Sequence, residues 1–243
     1  KIKALAESIK QTDVIVLPEM ANYRHQAISN DYEEDLSGPT IQFFKQLAIQ
    51  KSAHIITGSM IEASNTNKSY NTLVVINPDG EVIKTYRKMH LFDVDIESTQ
   101  IKESKRFQAG GSPEIVTING WKVGLSICFD LRFPELYRWY FNQGVEAVVI
   151  PSSFTYKTGE RHWHILCRAR AIENQMYVIA PNQTGIGAGN KPTYGHSIIV
   201  DPEGEVIGEM NDTEDGVITQ KINKLSITNT RTKMPLKPKL RGY

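Results

Sequence analysis

The stretch Leu73-Val-Val-Ile-Asn-Pro-Asp-Gly-Glu-Val-Ile83 recurs in the second half of the chain as Ser197-Ile-Ile-Val-Asp-Pro-Glu-Gly-Glu-Val-Ile207. In each copy a Pro-Asp-Gly or Pro-Glu-Gly turn separates two apolar runs, a pattern that is typical of a β-hairpin. Self-similarity at such a long spacing indicates two copies of one structural unit. The chain is therefore predicted to consist of two related halves.

The segments upstream of each hairpin correspond as well. The run Val14–Leu17 resembles Ala147–Ile150, and His54–Thr57 resembles Tyr177–Ala180, with a helical stretch between the two runs in each half. Continuous apolar runs of this length predict strands that are buried on both faces. We therefore expect an α/β fold in one domain over residues 1–243: a four-layer α-β-β-α sandwich whose halves are related by a pseudo-twofold axis.

One predicted strand of the second half has no counterpart in the first. The apolar run Lys122–Ile127 precedes Ala147–Ile150, whereas only the predicted helix Ile2–Ile9 precedes Val14–Leu17. The sequence also opens without methionine. From the repeat we expect about 20–30 further native residues, carrying the counterpart of the Lys122–Ile127 strand, to lie upstream.

Composition excludes several classes of function. The chain has 243 residues, of which 40% are hydrophobic and 23% are charged, as in ordinary globular proteins. Lys+Arg 28 against Asp+Glu 27 leaves a net charge of +1 without a basic run, so we expect neither a nucleic acid nor a membrane as partner. Two cysteines and no signal peptide predict a reducing, cytoplasmic location. A small molecule is the partner that remains.

Cys128 is a candidate nucleophile. It ends an apolar strand and precedes Phe129-Asp-Leu-Arg-Phe-Pro134, which is typical of a turn into an amphipathic helix, here predicted over Leu131–Asn142. The partial positive charge at a helix N-terminus would lower the pKa of the thiol and favour the thiolate. The alternative is a cysteine that is buried in the core.

Two further candidates follow predicted strands. Glu19 comes directly after Val14–Leu17 and Pro18, so its carboxylate is expected at the carboxyl end of a central strand, where open α/β sheets bind ligands. Arg87 and Lys88 follow the predicted strand Glu81–Tyr86 and could reach the same edge. The alternative for each of these side chains is a solvated loop position.

The second cysteine is predicted to be structural, and no metal site is expected. Cys167 shares the apolar stripe of a predicted helix, Glu160–Asn174, with Trp163. On that helix His162 and His164 do not share a face, whereas His164 could pair with Cys167 at i, i+3. Because no third ligand lies nearby in sequence, no zinc site is predicted.

Three sequence blocks together resemble the signature of the nitrilase, or carbon-nitrogen hydrolase, superfamily: Leu17-Pro-Glu19-Met, Tyr86-Arg-Lys88-Met-His-Leu-Phe and Cys128-Phe-Asp-Leu-Arg-Phe-Pro-Glu135. The resemblance continues through 162–174 and 194–197. It implies the α-β-β-α sandwich and a catalytic triad of Glu19, Lys88 and Cys128, with Glu103 matching a second glutamate. It also implies that the N–H of Phe129 joins Lys88 in stabilising an oxyanion, and that no metal or organic cofactor is needed.

The block that begins at Cys128 is similar to the amidase branch of the superfamily, which includes omega-amidases and deaminated-glutathione amidases. The resemblance therefore implies a short 2-oxo acid amide that bears a carboxylate as substrate. Arg132 could pair with that carboxylate or instead form a surface or dimer-interface salt bridge, and Phe154 could line the same pocket. A homodimer is implied too, packed through the helices that contain 131–142 and 160–174, with the tail Met234–Tyr243 reaching across.

Other functions on the same scaffold stay open at the level of sequence. One is a carbamoylase or acyltransferase that uses the same cysteine chemistry. Another is a non-catalytic binding protein whose pocket only holds a ligand. Reactivity of the Cys128 thiol and hydrolysis of an amide separate these alternatives from an amidohydrolase.

Overall fold

Helices and strands alternate along the computed structural model, which describes residues 1–23, 32–96, 99–187 and 190–236. The helices are α1 (Ile2–Ser8), α2 (Pro39–Lys51), α3 (Pro134–Asn142), α4 (Tyr156–Asn174) and α5 (Lys224–Lys233). The strands of the first half are β1 (Val14–Val16), β2 (His54–Ile56), β3 (Met60–Glu62), β4 (Tyr70–Ile76), β5 (Val82–Arg87), β6 (Asp93–Ile96) and β7 (Thr99–Lys102). Those of the second half are β8 (Glu114–Ile118), β9 (Trp121–Leu125), β10 (Ala147–Val149), β11 (Tyr177–Ala180), β12 (Thr184–Ile186), β13 (Pro192–Tyr194), β14 (Ile198–Val200) and β15 (Val206–Glu209).

The internal repeat is visible as two similar sheets. Among the described residues, β1 to β5 form one sheet, in which β1 and β2 are parallel and β4 and β5 make an antiparallel hairpin. The second sheet has the order β15-β14-β11-β10-β9-β8, with β10 and β11 parallel and β14 and β15 as the corresponding hairpin. Both hairpins shift register at equivalent positions, Val75/Ile76 and Ile199/Val200.

The two sheets face each other, and helices cover their outer faces. On β4, Leu73 and Val75 belong to the core between the sheets, whereas Val74 and Ile76 pack against a cluster that contains Phe44 of α2. This alternation follows from the period-2 geometry of a strand. The helices α3 and α4 cover the second sheet, so the predicted four-layer sandwich is confirmed. In α4 the Cys167 side chain is fully buried, as expected for a structural cysteine.

Strand β1 has only one neighbour within the described ranges, although its counterpart β10 lies between β11 and β9. A cavity of about 580 Å³ adjoins the open side of β1 and is also lined by residues of the stretch 216–222. The position that β9 occupies in the second sheet therefore has no equivalent element beside β1 among the residues described.

Two helices begin at residues other than the predicted ones. The segment after Cys128 is first a short 3-10 turn, Cys128–Arg132, and α3 begins only at Pro134. Proline disfavours helical geometry at the preceding residue and is itself well placed in the first helical turn, which explains the break. Helix α4 starts earlier than predicted, at Tyr156. No helix in the described ranges combines the length and the apolar character that a bilayer span requires.

Candidate active site

Cys128 lies at the point where the second sheet ends in the 3-10 turn. Its φ is 46°, in the left-handed region that non-glycine residues rarely adopt. The backbone N–H of Cys128 donates to the carbonyl of Pro151 at 2.9 Å, which anchors this conformation to the loop after β10. A strained residue that its surroundings hold in place is characteristic of functional sites.

The electrostatic setting of the thiol is the opposite of the one predicted. Burial, and then the nearby Glu19 carboxylate, raise the pKa of Cys128 well above its ordinary value, although Lys88 and the N–H of Ser153 act in the other direction. The expected lowering of this pKa by a helix N-terminus was wrong, because burial and the Glu19 carboxylate outweigh the influences that lower it. The thiol is therefore protonated near neutral pH, and it needs a base before it can attack.

Glu19 supplies a carboxylate beside this thiol. The residue is only 4% exposed, and its Oε1 accepts hydrogen bonds from Lys88 Nζ at 3.0 Å and Asn71 Nδ2 at 2.9 Å. The Gln183 side chain donates to the Glu19 carbonyl at 3.0 Å and so links the loop after β1 to the second half of the chain. Asn71 and Gln183 were not found from the sequence, because nothing in their local pattern distinguishes them from ordinary strand and loop residues.

Lys88 is buried between two carboxylates. The side chain is 1% exposed, and Nζ lies 3.0 Å from an oxygen of Glu19 and 3.0 Å from one of Glu103. Burial alone would lower the pKa of Lys88, but the negative charges of Glu103 and Glu19 outweigh it and hold this pKa well above the usual value. Arg87 points elsewhere and forms an ion pair with Glu62 at 2.6 Å. Of the two cations, only Lys88 reaches the site.

Glu103 begins a short 3-10 turn after β7, and two contacts hold its carboxylate in place. One oxygen accepts the backbone N–H of Phe92 at 2.8 Å, while the carboxylate also contacts Lys88. Burial raises the pKa of Glu103, and the Lys88 ammonium partly opposes that effect. The structure thus brings together Glu19, Lys88, Glu103 and Cys128, the four residues that the family resemblance had singled out.

Asp130 connects the segment around Lys88 to the segment around Cys128. It is fully buried, and it accepts hydrogen bonds from Tyr86 Oη at 2.7 Å, from the His90 backbone at 3.0 Å and from the Ile127 N–H at 2.8 Å. The His90 ring lies 2.7 Å from the same carboxylate. In the sequence, Asp130 is one residue of the predicted turn that follows Cys128. Its position two residues after the candidate nucleophile was the sequence feature that could have indicated this connecting role.

A pocket of about 530 Å³ opens above Cys128. Phe129, Arg132 and Phe154 all line it, together with Lys88 and both glutamates. The Arg132 guanidinium lies 5.4 Å from the Phe154 ring centre, and one of its nitrogens is 3.2 Å from His162 Nδ1. Within the described residues Arg132 forms no ion pair with a carboxylate. A cation is thus available to a ligand inside the pocket.

Residues 1–232 match the model of the carbon-nitrogen hydrolase family. The chain belongs to the carbon-nitrogen hydrolase family. Among the relatives of this hydrolase, a deaminated glutathione amidase from Dictyostelium discoideum is 40% identical over 87% of the chain and 75% of the relative. An omega-amidase from Mus musculus is 34% identical over 95% of the chain and 84% of the relative.

Solved structures give the same assignment for this carbon-nitrogen hydrolase. One is the crystal structure of Saccharomyces cerevisiae Nit3, a member of branch 10 of the nitrilase superfamily. It superposes on this chain with a TM-score of 0.83 and is 30% identical in sequence, and the match covers 99% of this chain and 88% of Nit3. A carbon-nitrogen hydrolase from Xanthomonas campestris superposes with a TM-score of 0.83 at 29% sequence identity, and the match covers 96% of this chain and 87% of the Xanthomonas protein. The predicted superfamily, sandwich fold and amidohydrolase class are thereby confirmed.

Proposed function

We propose that this hydrolase cleaves the amide of a small carboxylated 2-oxo acid through a cysteine thioester, with Cys128, Glu19 and Lys88 as its catalytic triad. The observation that supports this most directly is the buried contact among a thiol, a carboxylate and an ammonium group at the base of one pocket. These are the nucleophile, the base and the charge-stabilising group that acyl transfer from an amide requires.

In the first half-reaction the Cys128 Sγ attacks the amide carbonyl while its proton passes to Glu19. The raised pKa of the thiol makes this proton transfer necessary, and the hydrogen bond between the thiol and the Glu19 carboxylate provides its path. The tetrahedral intermediate carries a negative oxygen, which the Lys88 ammonium and the N–H of Phe129 stabilise. When the C–N bond breaks, Glu19 returns the proton to the departing ammonia or amine.

The second half-reaction hydrolyses the thioester. A water molecule loses its proton to Glu19 and adds to the acyl carbon, and the same two donors again stabilise the oxyanion. Collapse releases the carboxylic acid, and Glu19 returns its proton to the Cys128 sulfur. Glu103 takes no part in proton transfer in this scheme: its charge keeps Lys88 protonated and its contact fixes the position of Nζ.

Two observations support the proposed substrate class: the charge in the pocket and the descriptions of the relatives. Arg132 offers a guanidinium that has no carboxylate partner among the described residues, and guanidinium pairs strongly with carboxylates. Phe129 and Phe154 supply apolar walls beside it. Relatives are described as deaminated glutathione amidase and as omega-amidase, and we extend that substrate chemistry to this chain.

We further propose one domain over residues 1–243 that forms a homodimer in the cytoplasm. Trp139 on α3 and Ile165 on α4 are large apolar side chains that are 38% and 69% exposed, which supports an interface along these helices. Both cysteines are free, in keeping with a reducing compartment. The expected crossing of the tail Met234–Tyr243 lies mostly outside the described residues. Light scattering of the purified chain and of Ile165→Glu tests the dimer, which this substitution is expected to dissociate.

The activity is tested with a panel of 2-oxo acid amides, neutral amides and simple nitriles, with release of ammonia or amine as the readout. We expect turnover of a carboxylated amide, no turnover of nitriles, and loss of activity in Cys128→Ala. Cys167→Ala is the matched control, because it also truncates a buried cysteine but lies outside the pocket. Circular dichroism verifies that both variants fold. Equal activity in Cys128→Ala and the wild type would exclude the thioester mechanism.

A further inference from the structure

Two histidines and a glutamate from three separate elements converge outside the Cys128 pocket. His164 lies on α4, His196 lies just before β14, and Glu209 ends β15. One atom of each side chain lies within 4.8 Å of the corresponding atoms of the other two. None of the three residues lines the active-site pocket. The fold has therefore created a cluster that is independent of the proposed catalytic site.

Both imidazoles point at the same carboxylate oxygen. Glu209 Oε1 lies 2.8 Å from His164 Nε2 and 2.7 Å from His196 Nδ1. Two imidazole nitrogens and one carboxylate oxygen form a donor set that proteins use for zinc, with a fourth position left to water. We propose that His164, His196 and Glu209 bind a zinc ion.

Binding the ion requires the hydrogen-bonded nitrogen and oxygen atoms to move apart, and the two imidazole nitrogens, which lie within 4.8 Å of each other, to reach tetrahedral spacing. Zinc–nitrogen and zinc–oxygen bonds are about 2.0–2.1 Å long, so tetrahedral ligand atoms stand about 3.3 Å apart. The two nitrogen–oxygen distances would each have to grow by about half an ångström. The three side chains are between 25% and 35% exposed, which leaves them room to rotate while the solvent supplies the fourth ligand.

Neighbouring residues hold the ligands in place. The His196 backbone is in the left-handed region at φ 53°, and its carbonyl accepts the Trp163 indole N–H at 2.7 Å. The Tyr194 ring stacks on the His196 ring with 4.5 Å between centres, and its hydroxyl lies 3.5 Å from His164 Nδ1, the nitrogen that faces away from Glu209. Such outer contacts fix the orientation of imidazole ligands in metal sites.

The prediction of no zinc site rested on the lack of a third ligand near His164 in sequence. Near it in sequence, the one partner proposed for His164 was Cys167, whose side chain is fully buried in the core. The other ligands come from residues more than 30 positions away and meet His164 only when α4 lies against the second sheet. An ion at this cluster would tie the helix to the β14–β15 hairpin, and it should raise the melting temperature.

The test uses tag-free, metal-stripped protein and zinc chloride, with isothermal titration calorimetry and thermal melting as readouts. A Cys128→Ala chain is the reference, so that zinc taken up by the active-site thiol does not contribute. We expect one zinc per chain and a higher melting temperature with zinc. His164→Ala and Glu209→Gln in the same background should bind at least about tenfold more weakly and lose the rise in melting temperature.

Glu160→Gln is the matched control, because Glu160 is an exposed carboxylate on the same helix that lies outside the cluster. It should bind zinc like the reference. If a ligand variant is poorly folded, cobalt(II) bound to the reference chain gives a direct answer, since a tetrahedral site with nitrogen ligands has a characteristic visible spectrum. Absence of zinc uptake by the reference chain, or equal uptake in the ligand variants, would overturn the proposal.

Discussion

Replacing Glu103 by glutamine isolates the effect of one charge on Lys88. The substitution keeps the size of the side chain and an oxygen for the Phe92 N–H, but it removes a negative charge 3.0 Å from Nζ. At an effective dielectric constant of about 20, two unit charges at this distance attract by about 5 kcal/mol. The loss is large enough to change both the protonation and the position of the ammonium.

The direction of the pH effect follows from the sign of the interaction. The carboxylates of Glu103 and Glu19 hold the pKa of Lys88 well above its usual value, so the wild-type ammonium is present below that pKa and is lost above it. Without Glu103 the pKa of Lys88 falls. The alkaline limb of the kcat/KM profile should therefore move to lower pH.

The size of the rate loss is set by what the ammonium does in the transition state. A preorganised donor to an oxyanion contributes about 2.7–4 kcal/mol, so a loss of about 10²–10³-fold in kcat is the upper bound at neutral pH, because Lys88 and its contact with Glu19 remain in the variant. Initial rates of amide hydrolysis between pH 6 and 10 measure both effects: titration of Lys88 should cause no alkaline loss in the wild type in this range, whereas such a loss should enter the range in Glu103→Gln. Glu114→Gln is the control, because it breaks a Lys–Glu pair at 3.3 Å far from the pocket and should leave the profile unchanged. A Glu103→Gln enzyme with wild-type kcat and the same alkaline limb would refute this account of Lys88.

Three other perturbations test separate parts of the structure. Asp130→Asn should lower the free energy of unfolding, measured in urea, by about 2–4 kcal/mol, because charge-assisted hydrogen bonds in the interior are lost. A decrease below about 0.5 kcal/mol would contradict the connecting role of Asp130. Arg132→Met should raise KM for carboxylated amides by at least about tenfold and leave KM for a neutral amide unchanged. An equal rise in KM for the carboxylated and the neutral amide would show that Arg132 does not bind the carboxylate. Strand geometry directs the backbone amides of Val14 and Val16 to the open side of β1. In hydrogen exchange these amides should exchange more than roughly tenfold faster than the amides of the inner strand β10. Equal exchange rates would mean that the edge of β1 is covered.

Local sequence was sufficient for most of the strands and for the family. Apolar runs bounded by turn residues predicted the strands, and the repeated Pro-Asp-Gly and Pro-Glu-Gly turns predicted both hairpins, because strand burial and turn geometry are encoded by neighbouring residues. The blocks around Glu19, Lys88 and Cys128 predicted the family because their residues are contiguous. The start of α3 was misplaced even though its cause, Pro134, is local, since a short turn and an α-helix have similar amphipathic patterns.

The tertiary structure alone decided the properties that depend on distance and on the exclusion of water. The pKa of Cys128 is raised and not lowered, because burial and Glu19 outweigh the other influences on its thiol. The role of Asp130, the choice of Lys88 over Arg87 and the meeting of His164 with Glu209 likewise arise from contacts between residues that are remote in sequence. Sequence determined which groups are present and which strands carry them; packing determined their neighbours, because electrostatic interactions act through space and strengthen as solvent is excluded.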